Sequence, residues 1–544
     1  MYDETTQVLV VGGGVVGLST SLFLSAHGVG SILVERHPGT AIHPRAWGWY
    51  PRTLELYRSV GLADAIDAES AGFTGHVLLG KLESLTGREF HLSRIPDEED
   101  VSDISPIGRV VSLPQDRIEP LVLRRARELG GDVRFGVELV DLVQDDEGVT
   151  ATVADRKTGV RRTVRARYLV AADGTDSPVR ERLGIRRHGR GVVRHQMSIL
   201  FRADLTGPLA GRRFAICQVE NPQVEGTFGH DDSLGQGTLI LTYHPERGER
   251  PEDFTDERCV ELVRAAVGVP DLAVELRSVM PWEMGALVAE RFTDGRVFLV
   301  GDAAHVVPPV GGYGANTGIH DAHNLAWKLH AVLTGLASPA LLSTYHTERH
   351  PVAVTVLTQA GLRLAVRGGF ATPDQHAALR ETLTVTFGYA YDSAAIVAEP
   401  GDGVPAGPPG PGGAPAAPLV EPRDLDGRPG TRAPHVWLRL DGRRISTLDL
   451  FDQRPVLLLG PAAEPWRAAA TAAAKRLGVE LDVHRIGADL VEEDRPWAQT
   501  YGVAPDGVVL VRPDGFVCWR APAGAEATES AVERVLAALL HRQP

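Results

Sequence analysis

Short apolar runs on either side of a helical pattern open the chain. The segments 8–11 (VLVV) and 32–34 (ILV) show no alternation of apolar and polar positions, which is typical of strands buried on both faces of a sheet. Between them, Leu18, Leu22 and Ala26 recur at helical spacing in a stretch without proline or internal glycine. The pattern predicts a strand–helix–strand unit of an α/β domain.

Glycines and one acid complete this unit. Gly12 allows a tight turn after the first strand, Gly14 lets the backbone approach a pyrophosphate, and Gly17 lets the helix pack against the strand. Val16 lies in the same turn, and the helix that starts there offers free N–H groups to phosphate. Glu35 ends the second run, where a carboxylate can accept hydrogen bonds from ribose hydroxyls. This order predicts a Rossmann-like dinucleotide-binding domain and leaves FAD and NAD both open.

Two later segments repeat the pattern of an apolar strand that ends in an acid. Asp173 and Gly174 follow the run 168–172 (YLVAA), and Asp302 follows the run 297–301 (VFLVG). Beyond Asp302, a stretch rich in proline and glycine leads into a helix predicted over 317–333. No second glycine motif has its own strand and acid, so we expect one pocket for one dinucleotide, gathered from three distant segments. This combination points to a flavin enzyme.

Composition divides the chain into a large unit and a small one. The segment 401–420 is dominated by glycine, proline and alanine and predicts a linker. Before it, 1–187 and 291–400 are predicted to form the two parts of the flavin-binding domain. The range 188–290 contains β-type stretches and predicts an inserted sheet that covers a substrate cavity.

The segment 421–544 predicts a separate small α/β domain of thioredoxin-like type. Strands are expected at 456–459, 481–486, 508–511 and 516–520, and helices at 466–477 and 527–541. Cys217, Cys259 and Cys518 are scattered and form no redox pair, so a structural or dimer-forming role is expected for this domain.

Charge and the remaining signals narrow the class of protein. The net charge of −14 argues against nucleic acid and anionic membranes as partners. The segment 1–7 lacks the features of a signal peptide, and no apolar stretch is long enough to span a bilayer, so we expect a cytoplasmic protein. His320 and His323 lie one helical turn apart without a third ligand, so we predict surface or capping histidines and no metal site.

These motifs together resemble the single-component, class A flavoprotein monooxygenases, the para-hydroxybenzoate hydroxylase-like family. The likeness extends to the segments 115–119 (QDRIE) and 345–351 (YHTERHP). The segments 434–437 and 511–515 are similar to the thioredoxin-like tail of its larger members, phenol hydroxylase and the aromatic polyketide hydroxylases. The resemblance implies a Rossmann-like FAD-binding domain with an inserted β-sheet substrate domain and a C-terminal thioredoxin-like domain.

The resemblance also implies a set of FAD-binding residues. The pyrophosphate would lie at the glycine turn, the adenosine ribose at the acid of the second strand, and the flavin edge at the start of the long helix. The implied cofactor residues are Gly12, Gly14, Val16, Gly17, Glu35, Arg36, Arg45, Gln115, Asp173, Gly174, Asp302, Gly314, Ala315 and Asn316. Pro308, Pro309, Gly312 and Gly314 would shape the flavin environment, and no residue is expected to act as a general acid or base.

The reaction implied is hydroxylation of a polycyclic aromatic polyketide, a phenol or quinone, with NAD(P)H and O2 through a flavin C4a-hydroperoxide. Trp282, Tyr243 and Tyr313 are candidate substrate contacts, and many polyketide hydroxylases carry Gln where this chain has Tyr313. Baeyer–Villiger insertion, hydroxylation of a simple phenol and antibiotic-inactivating hydroxylation stay open. A flavin-binding protein without turnover is the alternative from a different class, and a homodimer is a possible assembly.

Overall fold

The computed structural model describes residues 2–95, 100–399, 410 and 413–542. Most of the predicted linker lies outside the described residues. The helices are α1 (Val15–Ala26), α2 (Pro51–Ser59), α3 (Ala63–Ser70), α4 (Gln115–Glu128), α5 (Pro178–Arg182), α6 (Thr206–Leu209), α7 (Asp256–Val267), α8 (Tyr313–Leu333), α9 (Ser343–Arg367), α10 (Pro373–Ala378), α11 (Thr382–Phe387), α12 (Pro465–Leu477), α13 (Trp497–Thr500) and α14 (Glu529–Leu539).

The described residues form 25 strands in five sheets. They are β1 (Glu4–Val11), β2 (Ser31–Glu35), β3 (Gly48–Trp49), β4 (Leu78–Leu82), β5 (Glu89–Arg94), β6 (Val111–Ser112), β7 (Asp132–Phe135), β8 (Val137–Gln144), β9 (Val149–Asp155), β10 (Arg161–Ala171), β11 (Arg187–Arg202), β12 (Phe214–Glu220), β13 (Glu225–His230), β14 (Gln236–Tyr243), β15 (Glu275–Ala289), β16 (Thr293–Asp294), β17 (Val297–Leu299), β18 (His305–Val306), β19 (Trp437–Leu440), β20 (Arg443–Ser446), β21 (Val456–Leu459), β22 (Asp482–Arg485), β23 (Val491–Glu492), β24 (Val508–Val511) and β25 (Val517–Ala521).

The first sheet brings the three predicted motifs to one edge. Its order is β16-β17-β10-β1-β2-β7, with β8 and β9 attached beside β10. The strands β17, β10, β1 and β2 run parallel, and Ala171 pairs with both Val11 and Leu299. The carboxyl ends of β1, β10 and β17 therefore lie side by side, where open α/β sheets bind their ligands.

A second sheet of eight strands has the order β18-β15-β11-β14-β13-β12-β4-β5. Met197, Ile199 and Phe201 of β11 lie on one face, in a core shared with α7. The inserted sheet predicted over 188–290 is present, but it also takes in β4 and β5, which the sequence assigned to the flavin-binding domain. The pairing of β4 with β12 joins segments more than 130 residues apart, and β5 is a largely exposed edge strand, so the local sequence does not show that they belong to this sheet.

The C-terminal domain contains a four-stranded sheet of order β22-β21-β24-β25. The strand β21 is parallel to β22 and antiparallel to β24, which is the arrangement expected of a thioredoxin-like domain. Helices α12 and α14 pack together against one face, and a small sheet of β20, β19 and β23 adds to the domain. The strand and helix positions predicted for this domain are found within a few residues of their expected bounds.

Helices α8 and α9 connect the flavin-binding domain to the C-terminal domain. Arg512, just after β24, forms two hydrogen bonds of 2.6 and 2.8 Å to Glu348 of α9. Asn324 of α8 donates to Asp514 over 3.1 Å, and all four side chains are buried. Among the described residues no helix has the length and apolar character needed to cross a bilayer.

Candidate active site

The glycine turn after β1 has one open position and three closed ones, of which Gly13 is the mildest, since an added Cβ there would lie 2.7 Å from Glu35. A Cβ added at Gly12, where φ is +104°, would lie 2.2 Å from the carbonyl oxygen of Ala172. A Cβ added at Gly17 would lie 1.9 Å from the carbonyl oxygen of Gly12. Gly14 is exposed, and the nearest atom to its added Cβ is 4.0 Å away. Gly12 and Gly17 are therefore required by packing, whereas Gly14 leaves room for a ligand to approach the backbone.

The start of α1 faces this open position. Gly14 caps the helix without a side-chain hydrogen bond, and the first turn holds no acidic residue. Uncapped N–H groups at a helix start favour an anion through hydrogen bonds and the helix dipole. The arrangement fits a pyrophosphate.

Glu35 lies at the tip of β2, as predicted, and its carboxylate is held by backbone N–H groups. Oε2 accepts a hydrogen bond of 2.5 Å from Gly13, and Oε1 accepts one of 2.7 Å from His37. The side chain is buried beside the glycine turn, so its oxygens are fixed where a ribose would lie.

Gln115 lies at the start of α4 and is engaged by a residue that the sequence analysis missed. Its Nε2 donates to Oε1 of Glu119 over 2.7 Å, and Ala41 N–H donates to Oε2 over 2.7 Å. Glu119 is fully buried, which raises the pKa of its carboxyl. Its position four residues after Gln115, on the same helix face, was the available signal.

The acids of the second and third motifs differ in how far the protein encloses them. Asp173 accepts a hydrogen bond of 3.1 Å from Val179 N–H through Oδ2, and no partner for its buried Oδ1 is found among the described residues. Asp302 is surrounded by protein, which raises the pKa of its carboxyl, yet its side chain is open to solvent. It therefore faces a recess, and the nearby charge of Arg45 partly offsets the effect of burial.

Contacts between side chains and backbone join the three motifs into one site. A Cβ added at Gly301 would lie 3.0 Å from Val16, and one added at Gly318 of α8 would lie 2.6 Å from the same side chain. Gly174 is half-buried beside Asp173. Arg36 is exposed at the rim, as is Arg45.

Helix α8 begins at Tyr313, four residues earlier than predicted, because Gly311 and Gly312 adopt φ values of +91° and +64°. Its start has no side-chain cap and no acidic residue in the first turn. Pro309 and Gly312 are exposed there, whereas Pro308 is buried, and Gly314 and Ala315 are half-buried. The positive end of α8 is thus partly open to solvent and is not opposed by an acidic residue of its own first turn.

Asn316 lies in the first turn of α8, but its side chain is hydrogen-bonded within the protein. Its Oδ1 accepts hydrogen bonds from Tyr50 N–H (3.1 Å) and Thr53 Oγ1 (2.6 Å). Its Nδ2 donates to the carbonyl oxygens of Gly48 (3.0 Å) and Gly312 (2.8 Å). Only its backbone is free to meet a cofactor, and its side chain fixes the first turn of α8 to the segment 48–53.

The ring of Tyr313 is packed inside the protein. It is almost fully buried, stacks on Tyr50 with ring centroids 6.2 Å apart, and its hydroxyl accepts a 2.7 Å hydrogen bond from Arg363. A substrate contact for Tyr313 stays a prediction that this packing does not favour.

One face of the second sheet looks toward the flavin-binding domain. His43 of that domain is hydrogen-bonded to Ser278 of β15 over 2.8 Å. Met280 and Trp282 follow Ser278 on the same face of β15, at intervals of two residues. The guanidinium group of Arg45 contacts the sulfur of Met280. Trp282 Nε1 donates to Ser198 Oγ over 2.9 Å.

Polar side chains continue across this face. Gln196 pairs with Trp282 on one side and donates through Nε2 to Thr242 over 2.7 Å on the other. Trp47 approaches the same face from the flavin-binding domain, 3.5 Å from a Cβ added at Gly229. The face combines aromatic surface with amide and hydroxyl groups.

Tyr243 lies on the opposite face, which corrects its assignment beside Trp282. It pairs with His195, one residue out of phase with the pair of Thr242 and Gln196. Its ring packs 5.9 Å from that of Phe254 in the core against α7. Side chains alternate along a strand, and the sequence pattern did not show which face the cavity covers.

His320 and His323 are also placed differently from the prediction. Both are buried in α8, and burial lowers the pKa of His323 to about 3. Among the described residues no group of three or more histidine, cysteine or carboxylate side chains could hold a metal ion.

Comparison with known proteins agrees with this geometry. The model of the FAD binding domain family matches residues 5–360, and that of the aromatic-ring hydroxylase C-terminal domain matches residues 426–542. The chain belongs to the FAD-dependent aromatic-ring hydroxylases, which are monooxygenases. FAD is its cofactor, and NAD(P)H is the reductant typical of the family.

Relatives are similar over their whole length. The chain is 43% identical to 4-methyl-5-nitrocatechol 5-monooxygenase from Burkholderia sp, over 99% of this chain and 98% of that protein. It is 42% identical to tetracenomycin A2 monooxygenase-dioxygenase from Streptomyces glaucescens, again over 99% and 98%. The crystal structure of aklavinone-11 hydroxylase with FAD and aklavinone superposes with a TM-score of 0.88 at 38% identity, over 100% of both chains.

Proposed function

We propose that this enzyme hydroxylates a polycyclic aromatic polyketide, a phenol or quinone, at the expense of NAD(P)H and O2. The observation that carries the proposal is the pairing of two surfaces. The structure provides the uncapped positive start of α8 and the aromatic and polar face of the second sheet, and we place the flavin and the substrate between them. FAD, when bound, supplies the electron transfer and the oxygen chemistry, and the protein supplies orientation and a dry site.

Different residues are proposed to contact different parts of FAD. The backbone of Gly12, Gly14, Val16 and Gly17 and the start of α1 hold the pyrophosphate, and Glu35 binds the adenosine ribose. We place Asp173, with the neighbouring Gly174, and Asp302 against the rest of the cofactor, because Asp173 Oδ1 has no partner among the described residues and Asp302 is exposed. Arg36 and Arg45 lie at the phosphate rim, and Gln115 near the ribityl chain.

The start of α8 has the clearest electrostatic task. Backbone N–H groups of Gly314, Ala315 and Asn316 place positive charge where the N1–C2=O edge of the flavin would lie. A preorganised helix end stabilises negative charge there without reorganisation during the reaction. Pro308, Pro309 and Gly312 form the wall between this edge and the substrate.

The width of the sheet face favours a substrate of more than one ring. Trp282, Gln196 and Thr242 lie on three adjacent strands, so the row spans about 10 Å between its outer members, wider than one aromatic ring. Its hydroxyl and amide groups suit the phenolic and quinone oxygens of a polyketide. Trp282 is the aromatic contact we expect the substrate to use.

A single-ring phenol is the second candidate, because a relative of equal similarity is named for a nitrocatechol. Steady-state NAD(P)H oxidation and O2 uptake with a four-ring phenolic polyketide and with 4-methyl-5-nitrocatechol separate the two. We expect the polyketide to stimulate both rates and to gain one oxygen atom on an intact carbon skeleton. Turnover of the nitrocatechol alone would overturn the substrate class, and a ring-expanded product would indicate Baeyer–Villiger insertion.

The domain boundaries belong to the same proposal. We take 1–187 and 291–400 as the two parts of the FAD-binding domain, with β4 and β5 contributed to the substrate sheet of 188–290. The segment 401–420 is the linker, and 421–544 is the C-terminal domain.

A further inference from the structure

A chain of buried hydrogen bonds leads backward from the first turn of α8. Thr53 Oγ1 donates to Asn316 Oδ1 over 2.6 Å, so it accepts from His320 Nε2, which lies 3.0 Å away. The other ring nitrogen of His320 then accepts from the hydroxyl of Tyr389 over 3.4 Å. Burial holds the pKa of His320 well below its usual value, which agrees with a neutral ring that donates on one side and accepts on the other.

A second chain starts at the turn that carries Asp302. Gly301 N–H donates to Asp321 Oδ2 over 3.2 Å, and His305 Nε2 donates to the same oxygen over 2.6 Å. Arg349 Nε donates to the other oxygen of Asp321 over 2.8 Å, and its Nη1 donates to the Tyr391 hydroxyl over 3.1 Å.

The side chains of this second series of hydrogen bonds are fully enclosed by protein. Asp321, His305 and Arg349 have no exposed side-chain surface. The positive neighbours outweigh burial and lower the pKa of Asp321, so the carboxylate is charged. A charged group at such depth stays in place only while its partners do, since an unpaired buried charge is strongly unfavourable.

Both chains end on the same residue of the C-terminal domain. Phe516, in the connection between β24 and β25, stacks on Tyr391 with ring centroids 4.1 Å apart and on Tyr389 at 5.6 Å. The backbone of Tyr391 is fixed as well, because its N–H donates to Gly430 of the C-terminal domain over 2.8 Å.

We propose that the C-terminal domain positions the flavin-edge segment, meaning the Gly301–Asp302 turn and the first turn of α8, through Phe516 and these two chains. Tyr391, Arg349 and Asp321 are positioning residues in this account. The inference rests on the proposed function, which places the flavin at that segment. It gives the C-terminal domain a task in the reaction although the domain has no redox cysteine pair.

The test uses Tyr391→Phe in the full-length holoenzyme. This change keeps the ring that stacks on Phe516 and removes only the hydroxyl that Arg349 binds. Trp519→Phe is the matched control, because Trp519 lies on the adjacent strand but packs against Trp466, with ring centroids 5.7 Å apart. FAD dissociation, the flavin reduction potential and the thermal unfolding temperature are measured for both.

We expect Tyr391→Phe to weaken FAD binding by about tenfold, the equivalent of about 1.4 kcal/mol. The reduction potential should become more negative, because a displaced helix start stabilises the negative charge of reduced flavin less well. The control should stay within about twofold of wild type for FAD.

A lower unfolding temperature with unchanged FAD affinity and potential would overturn the inference and leave a purely structural contact. If Tyr391→Phe does not fold, Phe516→Leu is judged by the same readouts, because it keeps an apolar side chain and removes the stacking. Failure of the wild-type protein to bind FAD would contradict the proposed function instead, so the two failures are distinguishable.

Discussion

Two glycines of the same turn separate the requirements of the fold from those of the cofactor. At Gly14, φ is −72° and ψ is 179°, which any residue adopts, and an added Cβ meets nothing closer than 4.0 Å. Gly14→Ala should therefore fold with nearly wild-type stability, because a gain of about 0.4–1 kcal/mol from reduced freedom of the unfolded chain is offset by the poorer fit of Ala than Gly at a helix N-cap. Gly17→Ala would place a Cβ 1.9 Å from a backbone oxygen and should destabilise the apoprotein.

FAD binding, in contrast, should be strongly weakened by Gly14→Ala, because the methyl group occupies the space needed by the pyrophosphate. Loss of two backbone hydrogen bonds to a charged group, about 1.5 kcal/mol each, weakens binding by about a hundredfold or more. The assay is titration of apoprotein with FAD, followed by flavin fluorescence, together with thermal unfolding of the apoprotein. Wild-type FAD affinity in a folded Gly14→Ala variant would refute the placement of the pyrophosphate.

Three further predictions follow from the site and the core. Asp302→Ala should lose FAD on dialysis while the C-terminal domain keeps its unfolding transition, and full flavin occupancy would contradict the role given to Asp302. Trp282→Phe should raise KM for the aromatic substrate, whereas Tyr243→Phe should leave KM unchanged because its ring lies on the core face; equal effects in steady-state kinetics would count against the orientation of the sheet. The urea midpoint should fall as the pH drops from about 6.5 toward 4. Burial lowers the pKa of His76 and His350 to about 4, so these histidines take up protons in the unfolded chain at a higher pH than in the folded protein. The free energy of unfolding should therefore decrease by up to about 1.4 kcal/mol per histidine for each pH unit. A midpoint that stays level across this range would contradict it.

The parts of the fold that depend on local sequence patterns could be predicted from the sequence. The strands β1 and β2 show uninterrupted apolar runs because both faces of their sheet are covered, and Glu35 marks the strand end by its charge. The pairing of Ala171 with Val11 and Leu299 was not visible, yet the order of the three motifs was enough to expect one pocket. The predictions of fold class, of FAD as cofactor and of a monooxygenase are confirmed.

What the sequence missed depends on long-range packing. His320 and Asp321 look like the polar side of an exposed helix, but α8 is enclosed by α1, α9 and the C-terminal domain, so these residues pair internally. Tyr243 was assigned to the cavity because a strand pattern shows alternation without showing which face is covered. Glu119 was overlooked although its spacing from Gln115 was visible, because its other partner, the Ala41 backbone, approaches it only in the folded site.

Reaction with isotopically labelled O2 tests the central claim most directly. The FAD-loaded enzyme is reduced with NAD(P)H, mixed with a phenolic polyketide and labelled O2, and the product is analysed by mass spectrometry. The account predicts one labelled oxygen atom in the aromatic product for each NAD(P)H consumed. A product without label, or NAD(P)H oxidation that yields only hydrogen peroxide with every aromatic compound offered, would contradict it.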